Sequence, residues 1–389
     1  VSKERRDELR EICRLGLRPG GVVYNSYNVL PGWAATIPLQ RLFRMYANQL
    51  SISTDPVTQR TKEAIVLARQ LQEGGALYLR ANAQVAARLS GLTDHLLNYV
   101  VHEYQNEAWD CFYFFDVANE LERDSKLTFG CSAVMLDSVA SISVQPEARE
   151  MLAEIASPLM REQVRDFWVN AGFRRDLFLR GAVKLQPAQA QQQIAETRLV
   201  PVVQREIFSF KAKGPYCECN LDEQTYAKVV DKLYSSREPV RIGDLQRDTG
   251  LHWPAIREAA IVLVSLGYAA PCHEETVAQK QRPKCKALNR AIRERARFDA
   301  STTYQASPLT GVGVQVGRME QLFLSALDEG VKTPDGWAEH AHASLERGGQ
   351  ALQNEGQNLS REESLAKLTG AATTFDATRL ALLRRLGIV

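Results

Sequence analysis

Apolar positions change their spacing along the chain, and each change marks an element. Between residues 3 and 17, Leu9, Ile12, Cys13 and Leu17 fall on one helical face and most of the rest is charged, which predicts an amphipathic surface helix. Arg18-Pro19-Gly20-Gly21 ends it, since proline does not continue a helix and glycine permits the turn. Val22-Val23-Tyr24-Asn25-Ser26-Tyr27 is a β-branched and aromatic run, the mark of a short buried strand. Asn28 to Trp33 reads as a loop, and Leu39, Leu42, Phe43, Tyr46 and Leu50 place a helix over 37–50.

The middle of the chain is helical in pattern. Asp55-Pro56 opens a helix through Ala64, Leu67, Ala68 and Leu71 that stops at Gly74-Gly75. Further helices are predicted over 76–89 and 93–105, and three helices with short polar joints suggest a helical insert over 51–108. Cys111-Phe112-Tyr113-Phe114-Phe115 and 127–131 read as strands separated by a short helix that Asp116 caps. From there to residue 185 the pattern predicts helices, and the alternating charges of 161–167 and 173–177 suit a solvated helix face.

Residues 186–196 are rich in Pro, Gln and Ala, the composition of a linker, which is drawn over 186–220. Residues 221–275 follow the order helix (221–233), extended segment (239–242), helix (243–249), turn at Gly250, helix (253–266), which is that of a winged helix. The 253–266 helix is apolar on nearly every side, so it is expected in a core and not in a DNA groove. Residues 276–389 form a helical region, with Thr333-Pro334, the box Ser360–Glu363 and Asp376 as predicted helix starts.

Composition narrows the picture. A chain of 389 residues suits two or three domains, and 45% hydrophobic with 24% charged residues is globular. With 48 basic and 46 acidic residues, the net charge of +2 gives no general pull toward nucleic acid or anionic lipid. No apolar run reaches the roughly 18 residues of a membrane span. Seven cysteines, an odd number mostly in apolar surroundings, suit reduced thiols and a cytoplasmic location. Cys217-Glu218-Cys219 lacks the spacing of a zinc site, so no metal is expected. Gly311, Gly313 and Gly317 follow no hydrophobic strand and read as a loop. His102 and Glu103 are adjacent on a helix and point about 100° apart, so His102 is expected to hydrogen-bond across the bundle. The basic run from Lys280 to Arg297 lacks aromatic residues to stack on bases and suits a solvated helix or a dock for an acidic protein substrate, with Arg290, Arg293 and Arg297 as candidate docking residues.

Leu17-Arg18-Pro19-Gly20-Gly21 before a buried strand resembles the segment around the fifth strand of class I methyltransferases. More specifically, Ser26-Tyr27-Asn28, Pro31-Gly32-Trp33, His102-Glu103-Tyr104 with Asn106, Arg161-Glu162-Gln163 with Asp166-Phe167, and Phe173-Arg174 with Leu177 resemble bacterial methyltransferases that carry a methyltransferase regulatory domain. That group includes rickettsial-type protein lysine methyltransferases. The resemblance covers residues 1–185 well and the remainder loosely.

It implies a mainly α chain with an α/β part: residues 1–50 as the C-terminal piece of a Rossmann-like sheet, 51–185 as a regulatory domain with closing strands over 111–131, then the helical domain with its winged-helix-like unit. It also implies S-adenosylmethionine as cofactor, with the glycine-rich cofactor turn upstream of Val1. Ligands of open α/β sheets lie beyond the C-terminal strand ends. Tyr27, Asn28 and Trp33 are therefore either candidate acceptor-side residues or a buried strand end with Trp33 packed against the insert, and Tyr24 and Ser26 are candidate cofactor contacts. Expected partners are a protein or small-molecule methyl acceptor and a second copy in a homodimer. Rival readings are a non-enzymatic regulatory or dimerisation module and a nucleic-acid-binding regulator.

Overall fold

The computed structural model describes residues 1–49, 54–93, 97–213, 218–354 and 356–389. The chain is mostly helical with small sheets. It divides into two units, one over Val1–Lys184, the other over Leu185–Lys213 and Glu218–Val389. No described helix is long and apolar enough to cross a membrane.

The first unit is organised by a three-stranded sheet of β1 (Val22–Asn28), β2 (Leu127–Ser132) and β3 (Phe173–Arg180). β3 lies between the other two and is antiparallel to both, so β1 and β2 run the same way. Alternation gives the sheet two unlike faces. Val23, Phe178 and Leu127 point into a core with Cys13, Leu17 and Leu121 from the helices Lys3–Gly16 and Phe114–Ser125. The opposite face carries Val22, Tyr24 and Ser26 of β1 against Leu179, Leu177 and Arg175 of β3, and the β1 members are exposed.

Between Ile37–Gln49 and Phe114–Ser125 stands the helical insert, with helices Val57–Glu73, Leu77–Ala81, Ala83–Ser90 and Leu97–Tyr104. Its core gathers Trp33, Leu39, Phe43, Ile65, Leu89 and Tyr104. Leu50 and the first residues of the drawn insert, 51–53, lie outside the described residues, as do 94–96, so the third predicted helix is seen only from Leu97.

Two strand assignments change. Residues 111–115 are not a strand: Phe112 makes one parallel bridge to Val29, and a helix begins at Phe114. A run of aromatic residues fits a helix start as well as a strand, and Phe114 is fully buried in its helix's first turn. The third strand is instead Phe173–Arg180, expected as a solvated helix face. Arg174 and Asp176 occupy its inward positions, and charge at those places hides the alternation that reveals a strand.

In the second unit, residues 186–196 are not a linker but the helix Pro187–Glu196. Proline suits a first helical position, and alanine and glutamine are strong helix formers. Arg198–Pro201, also within the expected linker, is the central strand of a sheet between Val240–Arg241 and Ala269–Cys272. The helices Glu223–Ser235, Ile242–Thr249 and Trp253–Ser265 keep the expected order, and Ile256, Ala259, Val262 and Leu263 bury the last of them. Ala269–Cys272 then leads into the 22-residue helix Glu275–Ala296.

Four further features complete this unit. The 311–317 segment is a hairpin of Tyr304–Ala306 and Gly313–Gln315, with Gly311 at its turn. Helices Arg318–Asp328, Pro334–Arg347 and Arg361–Phe375 pack around Phe323, Trp337 and Phe375. Thr333 and Ser360 cap their helices as predicted. Asp376 starts no new helix: it is itself helical (φ −59°, ψ −48°), and Arg361–Phe375 continues through a π turn into Ala381–Arg385.

Candidate functional site

The C-terminal end of β1 is held from two sides, by residues 171–172 and by Phe112. Val29 donates to the carbonyl of Gly172 (3.1 Å), Gly32 to that of Ala171 (2.9 Å), and Phe112 to that of Asn28 (3.0 Å). Gly32 is required by close approach, since a Cβ there would lie 2.5 Å from the Ala171 and Gly172 backbone. The result is a fixed strand end from which Tyr27, Asn28 and Trp33 depart in different directions.

Asn28 is half-buried and reaches the insert, where its Nδ2 donates to Glu103 Oε2 at 3.0 Å. The Trp109 indole approaches the same oxygen at 3.4 Å. Among the described residues, Asn28 Oδ1 has no hydrogen-bond partner. His102 is not bonded across the bundle as expected. Its side chain is 77% exposed and, among the described residues, reaches only Glu103 Oε1, at 3.4 Å, so its neighbour makes the cross-bundle contact. The helix turn puts Glu103, not His102, toward β1.

Trp33 is buried inside the insert and not at a surface an acceptor would reach. Its ring lies 4.9 Å from that of Trp109, and the Arg88 guanidinium sits 3.7 Å over it. It thereby supports the tryptophan that touches Glu103.

Tyr27 also points inward. Its hydroxyl donates to Asp176 Oδ2 at 2.6 Å, and burial together with that carboxylate's charge holds its pKa well above the usual tyrosine value. Asp176 receives Arg174 Nε at 2.9 Å, while Arg174 also donates to Asp166 at 2.7 Å and to Glu162 at 2.8 Å. The guanidinium lies 4.0 Å over the Phe114 ring. One cation thus faces three carboxylates, two of them fully buried. Burial pushes the Asp166 carboxyl up to about 6 despite Arg174, and its Oδ2 has no partner. Hydrophobic patterning misses this network; its signal is Glu162 and Asp166, four apart as on one helix face, and Arg174 and Asp176, two apart as on one strand face.

Tyr24 and Ser26 stand on the exposed sheet face in mid-strand, with Leu177 and Arg175 beside them. Of the three candidate docking arginines, Arg293 is buried and bonded to Asp328, Gln305 and the Ile388 carbonyl. Arg297 is held by Glu329 and Ser325. Both are structural, because an arginine whose fork is already filled inside a fold offers little to a partner. Arg290 is exposed, beside Glu294. Cys13, Cys111, Cys131, Cys219, Cys272 and Cys285 are free thiols, and Cys217 lies outside the described residues. Among the described residues no cluster of three metal-ligating side chains occurs.

Comparison with known proteins places these features. A family model described as a predicted methyltransferase regulatory domain matches residues 97–180, which contain Glu103, Glu162, Asp166, Arg174 and Asp176. An uncharacterized protein of Synechocystis sp. is 34% identical over all of this chain and 76% of its own length. An uncharacterized protein of Rickettsia prowazekii is 24% identical over 48% of this chain and 32% of its own length. PKMT2 from Rickettsia typhi, solved in complex with AdoHcy, shares the fold with a TM-score of 0.65 at 17% identity, covering 98% of this chain and 78% of that one.

Proposed function

This chain belongs to the family of methyltransferase-like proteins that carry a predicted methyltransferase regulatory domain, and from that premise we propose that it is part of an S-adenosylmethionine-dependent methyltransferase acting on protein lysine side chains. In this reading it supplies the acceptor side, with regulatory and substrate-docking regions. Residues 1–50 with β2 and β3 are the closing part of the methyltransferase sheet, and the 221–275 segment is a winged-helix-like structural unit. The support for the cofactor is the fold shared with a protein bound to AdoHcy, the form that S-adenosylmethionine takes after giving up its methyl group.

The observation that carries the reading is the open sheet face beside the Asn28–Glu103 pair. An edge strand that leaves Val22 and Tyr24 exposed beside Leu179 and Leu177 has an apolar stretch that a further layer ordinarily covers. Both the Synechocystis relative and the rickettsial enzyme extend beyond the region this chain covers. We place the glycine-rich cofactor turn in that further layer.

Tyr24 and Ser26 by themselves form one wall and do not enclose a cofactor, so no transfer step is derived through them. When bound, the cofactor supplies a methyl group on a cationic sulfur, and its displacement by an amine depends on alignment and desolvation. A lysine with a reference pKa near ~10.4 must arrive without one proton. Asn28 Oδ1 and the Glu103 carboxylate are the acceptors that hold its remaining N–H groups, with Trp109 and, behind it, Trp33 keeping Glu103 in place. Tyr27, through Asp176 and Arg174, positions the strand end that carries Asn28.

Initial-rate measurements with radiolabelled S-adenosylmethionine and protein acceptors test this, using the chain extended to the full length of its Synechocystis relative. Asn28→Ala and Glu103→Gln should raise the acceptor KM or lower kcat by roughly tenfold or more, with cofactor affinity unchanged. Unaltered kinetics in both variants would remove the acceptor role from this strand end.

A further inference from the structure

The second unit holds a cleft of about 610 Å³ between the helix Glu275–Ala296 and the Tyr304–Gln315 hairpin. It is a size that accommodates side chains or a small ligand. Val277, Gln281, Cys285, Leu288 and Ile292 recur at helical spacing and form one wall. Tyr304 and Val312 of the hairpin form the other. Four of these side chains are exposed although large and apolar: Val277, Leu288, Tyr304 and Val312. Their convergence in one concavity differs from the scattered apolar residues of an ordinary surface.

Positive charge predominates beside the apolar row. Lys280 and Lys284 are exposed on the helix next to it, whereas Glu275 and Glu294 near the helix ends are paired with Arg282 and Arg290. Residues 300–319 of the facing segment contain no Asp or Glu. The turn is shaped for close packing: Gly311 has φ +69°, and a Cβ there would come 2.5 Å from His273 Nε2. Nucleic acid would be matched by the cations and not by the aliphatic wall, which offers no row of rings for bases. An acidic segment with apolar side chains matches both.

We propose that this cleft docks an acidic peptide segment of a partner protein, which places two or more large apolar side chains between Leu288 and Val312 and its carboxylates along Lys280 and Lys284. The surface differs from the expected arginine dock, since Arg293 and Arg297 are consumed by the fold. It does not depend on the methyltransferase reading.

Panning a random peptide display library against the full chain tests the proposal. The expected result is enrichment of peptides that combine Asp or Glu with Leu, Ile, Phe or Trp. A fluorescent copy of the enriched peptide should bind at least tenfold more weakly to Leu288→Ser/Val312→Ser and to Lys280→Glu/Lys284→Glu. These positions are exposed, so circular dichroism and unfolding midpoints should match the parent chain. No enrichment, enriched peptides without acidic residues, or binding that survives both double variants would overturn the proposal. So would self-association abolished by Leu288→Ser/Val312→Ser, or a DNA duplex that binds the cleft and displaces the peptide.

Discussion

At Arg174 one guanidinium meets Glu162, Asp166 and Asp176 at 2.8, 2.7 and 2.9 Å, and Asp166 has a raised pKa. Burial is the leading cause, moving the carboxyl from its ordinary 3.8 to about 6. Between those values the folded chain keeps a proton that the unfolded chain has released. The stabilisation is therefore complete below about pH 4 and is lost as pH rises through about 6, for a total of ~3 kcal/mol at 1.36 kcal/mol per pH unit. Urea unfolding at pH 4.5 and at pH 7 should show the parent chain gaining on the Asp166→Asn variant as pH falls; parallel curves would refute the assignment. Removing the cation is more severe. Arg174→Met strands three carboxylates and should cost roughly 3–5 kcal/mol at pH 7. Tyr27→Phe removes a donor from buried Asp176 and should cost roughly 1–3 kcal/mol. At this scale the sequence was legible by motif and not by role: Asn28, Tyr27 and Trp33 were singled out together, yet only Asn28 meets the insert's polar group at Glu103. Whether a side chain leaves a strand end inward or outward depends on contacts from residues far along the chain.

Elements were legible where one period ran undisturbed. The helix over Lys3–Gly16 and the capped helices after Thr333 and Ser360 stand where their patterns placed them, and so does β1, although it was expected buried and Val22, Tyr24 and Ser26 are exposed. β3 was hidden because its inward row is Arg174, Asp176 and Phe178, a mixture explained by partners distant in sequence, Tyr27 on β1 and Glu162 and Asp166 on the helix Pro158–Trp168. The helix Pro187–Glu196 was hidden for another reason: glutamine and alanine suit linkers and helices alike. The joint between β1 and the insert gives this scale its own test. Gly32→Ala pushes a methyl group into the Ala171–Gly172 backbone and should cost roughly 1–3 kcal/mol, readable in the thermal midpoint. An unchanged midpoint would mean that the two segments are not locked together.

For the whole molecule, the family relationship runs the full length of the chain, whereas the regulatory-domain match covers 97–180. The motifs that led to the family lie in the first unit. The second unit, with its own core around Phe323, Trp337 and Phe375, carried no catalytic signal in the sequence, and its cleft became visible only when Leu288 and Val312 were brought together by a hairpin. The central claim is that the first unit completes a cofactor-dependent transferase by supplying the acceptor side. Isothermal titration of S-adenosylmethionine tests it most directly, into this chain and into a form extended to the full length of its Synechocystis relative. The account predicts one-to-one binding by the lengthened form and none by this chain alone. Absence of binding by both would contradict it.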